Sequence, residues 1–169
     1  LGEAINRGLL SPFQYFGITD EVDYQGISWI NGKYDVNELE NVYTSDDIRC
    51  GLILSKVQEY VTRMDDVKGL GFCISVKHAE YMANYFNEHK IPSLALSAKS
   101  IDSIRDDAKR QLVDGEIKFI FVVDLYNEGV DIPEVNTVLF LRPTESATVF
   151  LQQLGRGLRL SEEKECLTV

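Results

Sequence analysis

The sequence lacks a GxxxxGK[ST] loop, so it cannot cradle a nucleoside triphosphate in the P-loop manner. No GxGxxG follows an apolar run, which counts against a dinucleotide-binding domain. No GxSxG elbow is present either, which excludes hydrolase chemistry of that kind. Only three cysteines occur, Cys50, Cys73 and Cys166, with no CxxC spacing. An odd, scattered set excludes a disulfide framework and a four-cysteine zinc site, and it fits a reducing cytoplasm. His78 and His89 are the only histidines, too few to complete a zinc site. No apolar run reaches the ~18 residues of a membrane span.

What remains is ordinary globular material. The 169 residues are 44% hydrophobic and 26% charged, enough for one domain with a sizeable core. The first residues, Leu1-Gly2-Glu3-Ala4, carry neither Met nor a signal pattern, and Cys166-Leu167-Thr168-Val169 reads as the start of a strand. Both ends read as cut, so a piece of a longer protein is expected. The net charge of −10 argues against a free-standing nucleic-acid binder. The acidity is uneven, however: from Arg142 to Leu160 there are three Arg and one Glu. Any anion is expected to be handled there, locally.

From about residue 70 onward, short apolar runs alternate with helical stripes. Phe72-Cys73-Ile74-Ser75, Ser93 to Ser97, Lys118 to Val123 and Thr137 to Leu141 read as strands covered on both faces, and Tyr15 to Ile18 is a weaker run of the same kind. Helices are expected over 48–64, around 79–86, over 101–112 and from Ser146 towards Leu158. Such alternation implies right-handed crossovers and a three-layer α/β domain with a parallel sheet. Residues 20–45 read as a loop-rich excursion in which Asn31-Gly32 could turn a small hairpin. Open parallel sheets bind ligands at the carboxyl ends of their strands, so the segments after Ser75, Ser97, Asp124 and Arg142 matter most.

Three segments could carry chemistry. In Gln152-Gln153-Leu154-Gly155-Arg156-Gly157-Leu158-Arg159, the helical period places Gln152, Gly155, Arg156 and Arg159 on one face. Two guanidiniums so close suit a polyphosphate, although a solvated helix face would read the same way. Two glycines inside a helix cost ~1 kcal/mol each relative to Ala, so something must gain from close backbone approach. Next, Val122-Val123-Asp124-Leu125-Tyr126-Asn127-Glu128-Gly129-Val130-Asp131-Ile132-Pro133 ends a strand in a carboxylate-rich turn. It could orient a ribose or hold a metal, or simply be turn chemistry. Last, Phe72-Cys73-Ile74-Ser75-Val76-Lys77-His78-Ala79 runs from strand into helix through a hydroxyl and an ammonium. That is either a phosphate site or a plain Ser N-cap. Ser97-Ala98-Lys99-Ser100 repeats the layout at the next strand end.

Singly these signals are weak, but their order and spacing resemble motifs IV, V and VI of superfamily-two helicases and translocases. The resemblance spans about residues 69–160 and is to the second RecA-like domain. Glu128-Gly129 and Asp131-Ile132-Pro133-Glu134-Val135 look closest to the type III restriction, UvrB-like and DEAH-like branch. Leu9-Leu10-Ser11-Pro12-Phe13 looks like the linker entering that domain. The organisation implied is a linker and first strand over 1–20, a loop-rich segment and helix over 21–68, and the RecA-like core over 69–169.

The resemblance implies a two-lobed, ATP-dependent motor. A first lobe of the same chain would bind ATP and Mg2+, which this piece alone would not hold. Arg156 and Arg159 would act as arginine fingers, placed by Gln152 and Gly155, while Gly129 and Asp131 would lie near the nucleotide. Ser75, Lys77, Ser97, Lys99, Asp124 and Thr144 would line a groove for DNA, with RNA as the alternative strand. On this reading the chain alone has no ATPase activity. The rivals are a solitary flavodoxin-like or Rossmann-like nucleotide-binding module and an inactive scaffold of the same fold. The first would need a Gly-rich turn after the first strand, and Ile18-Thr19-Asp20-Glu21 offers none.

Overall fold

The computed structural model describes residues 1–45, 47–123, 132–143, 154–155, 157–162 and 164–169. Among these residues six strands form one sheet in the order β1-β8-β7-β4-β6-β5, every pair parallel. They are β1 (Phe13–Gln14), β4 (Gly69–Phe72), β5 (Ser93–Leu96), β6 (Phe119–Val122), β7 (Thr137–Phe140) and β8 (Leu167–Thr168). A separate antiparallel pair, β2 (Trp29–Ile30) and β3 (Lys33–Tyr34), makes a small hairpin. The helices are α1 (Gly2–Asn6), α2 (Val36–Tyr43), α3 (Ile48–Tyr60), α4 (Val76–Glu88) and α5 (Asp102–Val113).

Side-chain alternation along β6 builds both faces of the sheet. Ile120 and Val122 face one core with Leu70, Phe72, Ala108 and Leu112, where α5 packs beside Leu154 and Leu158. Phe119 and Phe121 face the other with Cys50, Leu54, Met82 and Phe86, where α3 and α4 pack. Phe86 meets both rings edge-on, at 5.2 and 5.1 Å. These are the three layers that the alternation of strands and helices predicts.

Several elements differ from the sequence expectation. The strand expected at 72–75 runs over Gly69–Phe72, because Gly69 and Gly71 leave room for the Phe119 and Phe121 rings; a Cβ there would come within 2.2 and 2.4 Å of them. The first strand is Phe13–Gln14 and stops before Tyr15. The excursion at 20–45 holds a helix, α2, whose N-cap Asp35 accepts from the Glu38 N–H at 3.0 Å. Its hairpin turns at Asn31 and Gly32, both with positive φ (52° and 81°), as a two-residue turn of this twist requires. Of the helix expected from Ser146, residues 154, 155 and 157 are helical and 146–153 lie outside the described residues.

Candidate functional site

All strands of the main sheet point one way, so its two ends differ. The carboxyl end gathers the segments after β4, β5, β6 and β7. Ser75 caps α4, its Oγ accepting from the His78 N–H at 3.1 Å. Lys77 projects from the first turn of α4, 59% exposed, with Nζ 3.6 Å from Glu40 Oε1 on α2. After β5, Ser97 Oγ accepts from the Lys99 N–H at 3.3 Å, and Lys99 is exposed. Arg105 organises this turn by donating from Nη2 to the carbonyls of Ala98 (3.1 Å) and Ser97 (3.4 Å). Arg142 ties the ends of β7 and β6 together, donating from Nη1 to the Val123 carbonyl at 3.2 Å. Thus Ser75, Lys77, Ser97 and Lys99 share one end of the sheet. Asp124 and Thr144, expected beside them, lie outside the described residues.

A buried cluster props this end from beneath. Arg49 on α3 pairs through Nε with Asp20 Oδ2 at 2.9 Å, donates from Nη2 to the Leu141 carbonyl at 3.0 Å, and lies 3.8 Å over the Tyr43 ring. Tyr43 and Tyr24 share a hydroxyl hydrogen bond of 3.1 Å, and burial raises both phenols above their ordinary range. His78 is fully buried, its Nδ1 accepting from the Ile74 N–H at 3.3 Å and its Nε2 without a partner. Burial, aided by the positive charge of Arg49, pushes its pKa down to about 3, so the ring is neutral. Burial likewise raises the Cys73 thiol, which makes it a core residue rather than a nucleophile.

The arginine-bearing segment lies at the other end. Ser11, two residues before β1, donates its N–H to the Leu158 carbonyl at 2.8 Å and its hydroxyl to the Arg159 carbonyl at 3.0 Å. Arg159 is exposed there, beside the amino end of the edge strands rather than at the carboxyl edge where strand-end reasoning puts ligands. The physical reason is that the backbone at 158–159 is bonded to Ser11, ahead of β1, rather than to a segment at the carboxyl end. Gly157 explains one of the two helix glycines: a Cβ would meet Leu167 at 2.9 Å and Val138 at 3.2 Å, so the backbone lies hard against the sheet. Gly155 faces open space. Gln152, Arg156, Gly129 and Asp131 lie outside the described residues.

Sequence reasoning misses Lys164, which is buried at this end. Its Nζ donates to the carbonyls of Pro133 (2.6 Å) and Gly157 (2.9 Å), and burial lowers its pKa to about 8. It bridges Pro133 to Gly157, just ahead of Arg159. Its setting in Ser161-Glu162-Glu163-Lys164-Glu165 gives no hint of burial. Among the described residues, no group of three His, Cys, Asp or Glu is placed to hold a metal ion. No described helix is long and apolar enough to cross a membrane.

Comparison with known proteins meets this geometry at residues 53–161, which match the model of the helicase conserved C-terminal domain. The chain belongs to that family. Helicase C-terminal domains of this kind are the second RecA-like lobes of superfamily-two enzymes. The chain is 27% identical over 166 residues to the Saccharomyces cerevisiae protein IRC3, named as an ATP-dependent helicase, covering 96% of this chain and 24% of that one. It is 26% identical over 183 residues to the type I restriction enzyme EcoAI endonuclease subunit of Escherichia coli, covering 96% and 23%. Among solved structures, a fragment of a type I restriction enzyme HsdR subunit from Vibrio vulnificus superposes with a TM-score of 0.71 at 20% identity, covering 98% of this chain and 32% of that one. That likeness establishes the fold. This helicase domain spans between about a tenth and a third of the length of the curated relatives it matches.

Proposed function

We propose that this domain is the second motor lobe of an ATP-dependent DNA helicase or translocase. A first lobe of the same protein binds ATP and Mg2+, and this lobe completes the site from across the cleft. Arg156 and Arg159 supply guanidiniums to the transferring phosphoryl group, with Gln152, Gly155, Gly129 and Asp131 around them. The observation that carries this reading is the separation of the two ends. The exposed Arg159 stands at the amino end of the edge strands, and Lys77 and Lys99 stand at the carboxyl end of β4 and β5. A motor needs such a division, because phosphate chemistry and strand contact must be distinct yet mechanically joined. The acidic chain is no obstacle, since a groove shared by two lobes needs few cations from each and mostly touches phosphates.

Arginine fingers act on charge that develops in the transition state, and Arg suits this role through its planar, forked donors. Ser75, Lys77, Ser97, Lys99, Asp124 and Thr144 form this lobe's share of the strand groove. DNA is favoured over RNA by the Glu128-Gly129 pair and by the kinship with a restriction-enzyme subunit. The 169-residue chain alone has no ATPase activity, because it lacks the P-loop that would hold the triphosphate. The test is ATP hydrolysis by the intact protein, with and without single-stranded DNA. The reading requires DNA-stimulated turnover that is lost on substituting Arg159. Turnover by the isolated chain, or none by the intact protein, overturns it.

A further inference from the structure

We propose that the β2–β3 hairpin and the carboxyl ends of β4 and β7 form a stacking site for an unpaired base of single-stranded DNA, with the Trp29 indole as its platform. The site extends the groove proposed above and rests on that reading. A cavity of about 290 Å³ opens between the hairpin and these strand ends, lined by Trp29, Lys33 and Tyr34 on one side and Ile74, Arg142 and Pro143 on the other. Ile74 and Arg142 each follow a strand of the main sheet, so the cavity lies at the same end as Ser75 and Lys77.

Two features select a base as the occupant. The first is charge: the cavity's described lining carries two cations and no carboxylate, in a chain of net charge −10. The second is the aromatic geometry. Trp29 is 62% exposed, so its ring contributes little to the folded core. It is nonetheless held in place. Tyr34, its cross-strand partner, meets it edge-on at 4.7 Å and is backed by Tyr24 at 5.6 Å. The Tyr24 hydroxyl is fixed by Asp20 and Tyr43, both at 3.1 Å. Before the hairpin, the Glu38 carboxylate accepts from the Ser28 N–H (2.6 Å) and hydroxyl (2.9 Å), and the Asp35 N–H donates to the Ser28 carbonyl (2.8 Å). An exposed, pre-positioned indole beside cations is what sequence-tolerant single-strand binding uses, because every base has a π-face and every nucleotide a phosphate.

Trp29 is the only tryptophan, so indole fluorescence of the 169-residue chain reports this site alone. A deoxythymidine strand of about 12 nucleotides quenches it, whereas an abasic strand of equal length and charge does not and binds about tenfold more weakly. Affinities come from the anisotropy of end-labelled strands. Trp29→Ala abolishes the preference for the base-bearing strand, and Trp29→Phe, which keeps a smaller π-face and the hairpin, retains most of it. Equal affinity of the unsubstituted chain for both strands overturns the stacking site and leaves the phosphate groove standing. Failure of the intact two-lobed protein to bind either strand overturns both.

Discussion

The ammonium of Lys164 donates to the backbone carbonyl of Gly157 at 2.9 Å. Its second bond, to the Pro133 carbonyl at 2.6 Å, joins the segment before β7 to the segment before Arg159 through one buried side chain. A charged group this far from water is costly, and two carbonyls depend on it. Lys164→Met keeps the length and apolar stem but leaves both acceptors unpaired. The expected loss is about 1–3 kcal/mol of stability, read from urea unfolding of the chain. The pH dependence carries a second signature. The folded-state pKa is lowered to about 8 from the ordinary lysine range, so between pH 8 and about 10.5 the unfolded chain holds more protons. Stability therefore gains a rising component over that window, and Lys164→Met lacks it. Identical slopes for the two proteins would refute the buried-ammonium assignment.

His78 gives the opposite end of the pH scale. Its ring is buried and neutral, with a pKa near 3 against an ordinary value near 6.5. Below pH 6.5 the unfolded chain takes up a proton that the folded chain refuses. Stability should then fall as pH drops from 6.5 towards 3, with a slope approaching about 1.4 kcal/mol per pH unit from this residue. His78→Asn keeps an acceptor for the Ile74 N–H but cannot titrate. The stability difference between the two chains should therefore change with pH only below 6.5. A constant difference between pH 4 and pH 7 would show that His78 titrates normally.

Arg49 and Asp20 form the ion pair beneath the carboxyl end, their side chains only 13% and 19% exposed. Removing Arg49 takes the counter-ion from Asp20, which keeps the Tyr24 hydroxyl and the Val22 N–H, and with it the donor to the Leu141 carbonyl and the cation over Tyr43. Arg49→Ala should cost about 3–5 kcal/mol, whereas an exposed pair such as Arg7 and Glu3 should contribute less than about 1 kcal/mol. Thermal melts of Arg49→Ala and Arg7→Ala would separate the two, and equal shifts would contradict the burial.

How far the sequence reveals all this depends on the kind of signal each residue carries. The central strands are legible because a strand covered on both faces is continuously apolar, as Phe119–Val122 is. The hairpin is legible because Asn31-Gly32 suits two successive positive φ angles. The start of β4 is not, because Gly69 and Gly71 mimic a loop while serving to admit two phenylalanine rings. Helix α2 is too short and acidic to stand out from turn residues. The shared position of Ser75, Lys77, Ser97 and Lys99 is legible, since a parallel sheet fixes where strand ends go. The position of Arg159 is not, because it is set by bonds from Ser11, far away in the sequence. Lys164 hides in a run of charges that reads as solvated, and only tertiary structure buries it.

The groove makes a prediction about salt. Lys77 and Lys99 are exposed cations after β4 and β5, at the same end of the sheet with β6 between them. Every lysine withdrawn from a phosphate takes about one released counterion out of the binding equilibrium. In the intact protein, Lys77→Ala with Lys99→Ala should weaken single-stranded DNA binding at low salt. The slope of log affinity against log salt should flatten by about one to two. Because Lys77 also sits 3.6 Å from Glu40, a melt of the double variant must accompany the titration. An unchanged slope with unchanged stability would remove both lysines from the groove.

The sharpest division between a working motor and an inert scaffold of the same fold falls on Arg159. In the intact protein, Arg159→Ala should lower DNA-stimulated ATP hydrolysis by about 10³–10⁵ if it serves as a finger. ATP affinity should change far less, because the guanidinium acts on charge that appears only as the phosphoryl group transfers. Arg159→Lys should fail nearly as badly, since a compact ammonium cannot reproduce a planar fork. Folding offers the control. Arg159 is exposed, and its hydrogen bond with Ser11 runs through its own backbone carbonyl, which both variants keep. A melt of each variant accompanies the assay, so that a loss of folding is told apart from a loss of chemistry. Abolished turnover with an unchanged melt and retained nucleotide binding supports the finger. Turnover at the unsubstituted rate would remove Arg159 from the finger role and overturn this reading of the site.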